Sequence, residues 1–442
     1  MEREQGAAEA ALTEAVAAIH AARGHSNKDG LKHMRQLCAL LDDPQDGLIA
    51  IHVAGTNGKG SVCACLDAVL REAGYRVGLY TSPFLQQYQE RIRIDGQPID
   101  AHAFLRAYAP VRAAAEALRA QGVLPTPFEL GTALAFVAFA QAGVDVCVLE
   151  VGLGGRLDPT NVVTPRIAAI AAIGMDHSAI LGDTVEAIAA EKAGIIKSGV
   201  PVVTQAAQAS VAEVFARAAQ EKGAPWHPLT GAEMTASGAS FSWTGQKGDF
   251  AWRGWALPGL TLRLLGAHQL HNAATALAVL TLLREGGWRV PDEAVRQGLA
   301  SVRWPARLEY VPGEPPMLLD GAHNAQGAQA LAAFAEALPV PPWADRVLLC
   351  GILAKKISED MLDALASLAP RAVVTEPPEQ QPVPAQDLAD ALARRGVRVT
   401  VCAQPGRALA QARALTGAQG LLIAAGSLYL VGALRTELDL TP

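Results

Sequence analysis

Three residue types within nine positions set the first chemical expectation. Val53-Ala54-Gly55-Thr56-Asn57-Gly58-Lys59-Gly60-Ser61 places glycines, a lysine and a hydroxyl between an apolar run at 48–53 and a helical stripe of Val62, Cys65, Leu66, Val69 and Leu70. Strand, glycine loop and helix together make a phosphate cradle. Glycines admit backbone N–H groups close to phosphate oxygens, and the helix start favours negative charge. Lys59 reaches toward the outer phosphates, and the Ser61 hydroxyl can ligate magnesium. The usual P-loop ends in Gly-Lys-Ser/Thr; here Gly60 separates Lys59 from Ser61.

Further reactive side chains fall at the ends of apolar runs. Ser82 follows the run 76–80, and Glu150 closes the β-branched run 144–150. An acid at a strand tip beside a P-loop suits magnesium held against phosphates. Asp176-His177 follow the run 167–173, where His177 reads equally as a structural histidine or as a ligand. Lys192 lies in a helix expected over 183–197, with Asp183 and Glu186 at capping-box spacing. Alone it reads as a solvated surface charge; aimed at a metal it would be repelled unless its amine were neutralised or carbamylated. His268, Gln269 and Asn272 open a helix reaching 283, as caps or as contacts to a nucleotide base. Asp320 and His323 follow the run 317–319, and Gly426-Ser427 precede a last helix whose N-terminus can bind an anion.

Positioning these groups takes more than one core. At 442 residues the chain exceeds what a single core serves, so two domains are expected, 1–302 and 303–442. Strands alternating with helices predict an α/β chain: a P-loop domain with a mainly parallel sheet, then a second Rossmann-like α/β layer. Open sheets of this kind bind ligands at the carboxyl ends of their strands. Helices are expected at 7–22 and 31–41 around a polar loop at 24–30, a small antiparallel excursion at 231–262, and a plain connector at 288–303.

Composition excludes several partner classes. The apolar fraction is 50%, the charged fraction 18% and the net charge -6 with no long basic run, so nucleic acid is not expected and an anionic substrate must meet local charge. The six cysteines have no metal-ligand spacing and fit reduced thiols in a cytoplasm. The charged N-terminus lacks a signal-peptide core, and the apolar stretches 130–149 and 421–434 are interrupted or short. A soluble cytoplasmic protein with no membrane partner is expected.

Taken together, the motifs resemble the folylpolyglutamate synthase/dihydrofolate synthase family of the Mur ligase superfamily. Residues 55–61 and 149–158 are similar to its two signatures, and Asp176-His177, 191–195, His268-Gln269 with Asn272-Ala273, 307–309, 320–324 and 426–429 follow in its order. The resemblance implies roles. Gly58, Lys59, Gly60 and Ser61 would cradle ATP, and Asn272, Arg307 and Asp320 would contact it across the domain interface. Ser61, Ser82, Glu150 and His177 would hold two Mg2+ ions, with a carbamylated Lys192 fixing the second. Thr126, Leu157, Asp158 and Pro159 would line the pterin site, and His323 and Ser427 would face glutamate. The chain departs from the pattern at Phe84 (usually His), Pro159 (Ala), Ala306 (Gly) and Ala325 (Pro).

The implied reaction turns a carboxylate into an electrophile. ATP would phosphorylate the carboxylate of dihydropteroate or a folate, and the amine of L-glutamate would attack the acyl phosphate, with His323 or the phosphate taking the proton. A UDP-muramoyl ligase would need a domain ahead of the P-loop, for which the 54 residues before Gly55 leave no room. A nucleotide-switch ATPase would instead answer to a macromolecule. A monomer is the habit of the family.

Overall fold

The computed structural model describes residues 2–24, 31–205, 208–238, 242–338, 345–379 and 381–441. Most of the expected polar loop at 24–30 lies outside them. The first sheet collects β1 (Ala50–Ala54), β2 (Val77–Tyr80), β3 (Ile92–Ile94), β4 (Gln97–Pro98), β5 (Val146–Glu150), β6 (Ile167–Ile170), β7 (Val202–Gln205) and β8 (Trp226–Leu229). Their order is β4-β3-β2-β5-β1-β6-β7-β8. From β2 to β8 the pairs are parallel, and β3 and β4 add an antiparallel edge. β1 and β5 are buried along their whole length, which is why each reads as a continuous apolar run rather than an alternating one.

The excursion expected at 231–262 is an antiparallel sheet of β9 (Met234–Ala236), β10 (Gln246–Trp252) and β11 (Trp255–Leu262). Phe250, Leu257 and Leu260 face the core that helix Lys59–Glu72 and helix Ala267–Glu285 share with the main sheet.

A third sheet holds β12 (Glu309–Val311), β13 (Met317–Leu319), β14 (Arg346–Cys350), β15 (Arg371–Val374), β16 (Arg398–Val401) and β17 (Leu421–Ala425), ordered β12-β13-β17-β14-β15-β16. All its pairs are parallel except β12–β13. Its two faces are covered by separate apolar clusters, as an α/β layer requires.

Local differences from the expectation have simple causes. The helix at 183–197 spans Val185–Ala193 and is capped by Thr184, whose hydroxyl accepts from Ala187 N. Asp183 is therefore not its cap. The stretch read as a connector contains helix Asp292–Ser301, whose Ala294, Val295, Gly298 and Leu299 are buried against helix Lys59–Glu72. Gly298 makes this approach possible, since a Cβ there would lie 2.7 Å from Val69 Cα. No helix among the described residues is long and apolar enough to cross a membrane.

Candidate functional site

The parallel register sets the site. Val53 pairs with Glu150 and Ala54 with Ile170, so β1, β5 and β6 end level with one another, and β2 delivers Ser82 to the same edge. The carboxyl ends of β13, β14 and β17 deliver residues 320–323, 351–356 and 426–427 opposite. Between the two edges lies a cavity of about 1230 Å³, and every site residue expected from the sequence lines it.

At the P-loop, Gly58 has φ +85 and precedes helix Lys59–Glu72; a Cβ there would sit 2.3 Å from Asn272 Oδ1. The additional glycine also has a reason. A Cβ on Gly60 would sit 2.7 Å from Nε1 of Trp304, so only glycine lets that indole seat on the helix start. Gly60→Ala is expected to displace Trp304, shift its fluorescence and weaken nucleotide binding about tenfold. Nucleotide affinity within twofold of the parent would refute this account. Lys59 Nζ donates to the carbonyl oxygens of Gly55 and Thr56 at 3.1 and 3.2 Å. The hydroxyl of Ser61 is buried without a partner among the described residues.

Glu150 is buried, and its Oε2 accepts from Ser82 N at 3.0 Å; burial pushes its carboxyl up while Lys59 draws it back. Glu150 and the orphaned Ser61 hydroxyl are hard oxygen donors of the kind magnesium takes. His177 fits less directly. Its Nε2 lies 2.9 Å from Lys356 Nζ, and no group of three His, Cys, Asp or Glu side chains among the described residues surrounds one point.

Lys192 is 4% exposed, so it is no surface charge. Burial first, and the charge of Lys59 second, lower its amine to about 7. The glycine-rich turn exists to meet its helix, since a Cβ on Gly155 would lie 2.8 Å from Glu191 O and 3.0 Å from Lys192 Cα. Arg156 fastens the turn by its ion pair to Glu191 at 2.8 Å.

On the pterin side, Thr126 and Glu129 form a capping box at helix Pro127–Ala142. Asp158 Oδ1 accepts from Thr160, whose hydroxyl also meets Nε2 of the buried His52 at 2.8 Å. Pro159 occupies the first position of a short 3-10 turn, where a missing N–H costs nothing, and Leu157 is partly open to the cavity. Phe84 packs on Tyr88 and His20 beneath the Arg91 guanidinium. Ala325 stands at the first position of helix Ala325–Glu336, another site where proline and alanine are both tolerated.

Across the cavity, Arg307 is held in a strained turn: Ala306 has φ 59 and Leu308 φ 47. The glycine usual at 306 would adopt this freely, whereas alanine pays on the order of 1 kcal/mol. Asp320 supports the turn by accepting from Leu308 N and Ala322 N, each at 2.8 Å. Both of its oxygens are thus already used by backbone, each with a lone pair to spare. His323 Nδ1 donates to Gly321 O at 2.8 Å, which leaves Nε2 as the acceptor; burial and the charge of Lys356 depress the ring to about 4. Ser427 caps helix Leu428–Glu437 through Tyr429 N.

Sequence reasoning missed the fastening between the two edges. Asn57 Nδ2 donates to Gln326 Oε1 at 2.6 Å, and Asn324 Nδ2 donates to Asn57 Oδ1 and Asp176 Oδ2 at 3.1 Å. Lys356 Nζ donates to Asp176 Oδ1 at 2.5 Å. Burial opposes ionisation of Asp176, but the Lys356 hydrogen bond and charge win and hold its carboxyl at about 2. Asn57 and Asn324 stood inside recognisable motifs; Lys356 carried no local signal.

Residues 53–280 match the Mur ligase middle domain family and residues 306–428 the Mur ligase glutamate ligase domain. The dihydrofolate synthase/folylpolyglutamate synthase of Bacillus subtilis (strain 168) is 42% identical over 71% of this chain and 74% of its own. The folylpolyglutamate synthase of Lacticaseibacillus casei is 38% identical over 80% and 83%. The chain belongs to the folylpolyglutamate synthase/dihydrofolate synthase family. Solved family members superpose over nearly their whole length. Mycobacterium tuberculosis folylpolyglutamate synthase complexed with ADP gives a TM-score of 0.92 at 32% identity, covering 98% of this chain and 100% of that one. E. coli FolC in complex with DHPP and ADP gives 0.86 at 31% identity, covering 97% of each. The synthase family fold therefore extends across both sheets and the cavity between them.

Proposed function

We propose that the protein is an ATP-dependent ligase that joins L-glutamate to dihydropteroate or a folate, giving ADP and phosphate. One observation carries this reading: a phosphate cradle on one sheet edge and Arg307, His323 and Ser427 on the other converge on a single cavity. ADP in two family members, and DHPP in one, support it. We divide the chain at 302/303 into the nucleotide and pterin half and the glutamate half, and place it as a cytoplasmic monomer.

In this mechanism the Gly58–Ser61 backbone and Lys59 grip the outer phosphates, and Asn272 packs over the loop toward the nucleotide. Arg307 approaches the transferring phosphoryl from the opposite edge, neutralising charge as it spreads over the oxygens. The substrate carboxylate, placed by Thr126, Leu157, Asp158 and Pro159, takes the γ-phosphoryl. Glutamate beside Ser427 attacks the acyl carbon through its amine, the C–O bond to phosphate breaks, and an amide remains. Nε2 of His323 is unprotonated near neutrality and can accept the amine proton; its depressed basicity makes it pass the proton on to phosphate. Closure between the edges keeps water from the acyl phosphate. Ser61, Ser82, Glu150 and His177 would hold two magnesium ions, which when bound neutralise phosphate charge. Lys192 would join them as a carbamate, formed by its neutral amine and CO2 with release of a proton.

The test is phosphate release by the purified protein with ATP and glutamate, comparing dihydropteroate with a reduced folate monoglutamate. Turnover with at least one supports the reading, and the ratio assigns the substrate. Turnover with neither overturns it.

A further inference from the structure

Among the described residues only two cationic side chains are buried, Lys192 and Arg435. Lys192 has a place in the chemistry above; Arg435 lies outside the cavity, on helix Leu428–Glu437, two turns beyond Ser427. A buried guanidinium persists only where its donors are matched, and here each branch is used. Nη1 meets Glu309 Oε1, Nη2 meets the Thr441 carbonyl, and Nε donates to Gln86 Oε1 at 3.1 Å.

Each of two partners leads to the cavity. Glu309 uses its other oxygen to accept from Ala306 N at 3.0 Å, the first residue of the strained turn that presents Arg307. Gln86 belongs to the loop that follows Ser82. That loop is stiffened by Glu90, which accepts from the backbone of Leu85, Gln86 and Gln87. Gln86 also donates to Leu440 O at 3.0 Å. The helix touches this loop directly, because a Cβ on Gly432 would lie 2.1 Å from Leu85 O.

We propose that Arg435 is a positioning residue for the ligation. Through Glu309 it sets the turn carrying Arg307, and through Gln86 it sets the loop that starts at Ser82 and carries Phe84 on the pterin side. One helix, with Ser427 at its start, thereby registers the nucleotide side, the pterin side and the glutamate side against each other. This rests on the ligase reading for the pterin side, whereas the nucleotide side stands on phosphate binding alone.

The experiment is a steady-state comparison of the parent with Arg435→Met, Arg435→Lys, Glu309→Ala and Gln86→Ala, with thermal unfolding measured on each. Glu309→Ala is expected to raise KM for ATP about tenfold and leave that for the folate within twofold; Gln86→Ala raises KM for the folate about tenfold and that for ATP by less. Arg435→Met raises both and leaves KM for glutamate within twofold, and Arg435→Lys recovers part of the loss. A purely structural role would lower kcat with the folded fraction and leave each KM unchanged, and that result overturns the proposal. If Arg435→Met does not fold, the Glu309 and Gln86 variants decide alone: selective KM changes support it, unchanged values overturn it. If the parent shows no ligation with either pterin, the ligase reading fails by itself. Equilibrium binding of a non-hydrolysable ATP analogue then tests the nucleotide side, where a tenfold loss in Glu309→Ala supports the role of Arg435 and an unchanged affinity overturns it.

Discussion

Replacing Lys59 with methionine is expected to lower kcat by about three orders of magnitude while the protein stays folded, because the stem is kept and only the charge is lost. The ammonium lies 3.1 Å from Gly55 O and 3.2 Å from Thr56 O, so its own loop holds it at the cradle before any phosphate arrives. In the proposed mechanism it would neutralise charge that grows on the phosphoryl oxygens, a contribution stronger in the transition state than in the ground state. The loss should therefore appear mainly in kcat, with KM for glutamate unchanged. Single-turnover phosphate release measures it directly, and a variant that keeps a tenth of parental turnover would exclude the role.

Lys192→Met is expected to cost about two orders of magnitude in turnover, and removing dissolved CO2 should cost the parent enzyme most of that amount while leaving the variant unaffected. A buried amine lowered to about 7 is neutral in large part at physiological pH, and only the neutral form adds CO2. Carbamylation would put an anion able to hold a metal where the amine beside Lys59 is largely neutral, and so would add negative charge to that wall of the cavity. Lys192→Arg should not rescue, since the guanidinium keeps its proton. A carbamate carbonyl signal from 13C-labelled CO2, present in the parent and missing in Lys192→Met, is the independent readout. A parent enzyme indifferent to CO2, with no such signal, would remove the carbamate from the mechanism.

The cradle, Glu150 and Asp320 were legible because each sits at the end of a buried parallel strand, where a continuous apolar run stops at a polar residue. A local pattern encodes a strand end well. Lys192 was misplaced by the residue-level reading, since a helical lysine looks solvated until the glycine-rich turn at 152–155 is seen packed over it. Asp183 and Thr184 are adjacent capping side chains, a one-residue ambiguity in the sequence that the fold resolves in favour of Thr184. Helix Asp292–Ser301 was overlooked because its few apolar residues are matched by glycine and serine, and its burial depends on a groove beside Val69.

The sequence by itself determined most of the elements, the glycine loop of the cradle and the family resemblance, because glycine spacing and apolar runs act over a few residues. Which residues meet across the cavity was decided only in three dimensions. Gly60 is the clearest instance: its local conformation gives no reason for glycine, and the reason is an indole 244 positions away, at Trp304. The Asn57, Asn324, Asp176 and Lys356 fastening and the reach of Arg435 to Glu309 and Gln86 are of the same kind. Such contacts depend on how two sheets dock edge to edge, and no local pattern of hydropathy or spacing records that.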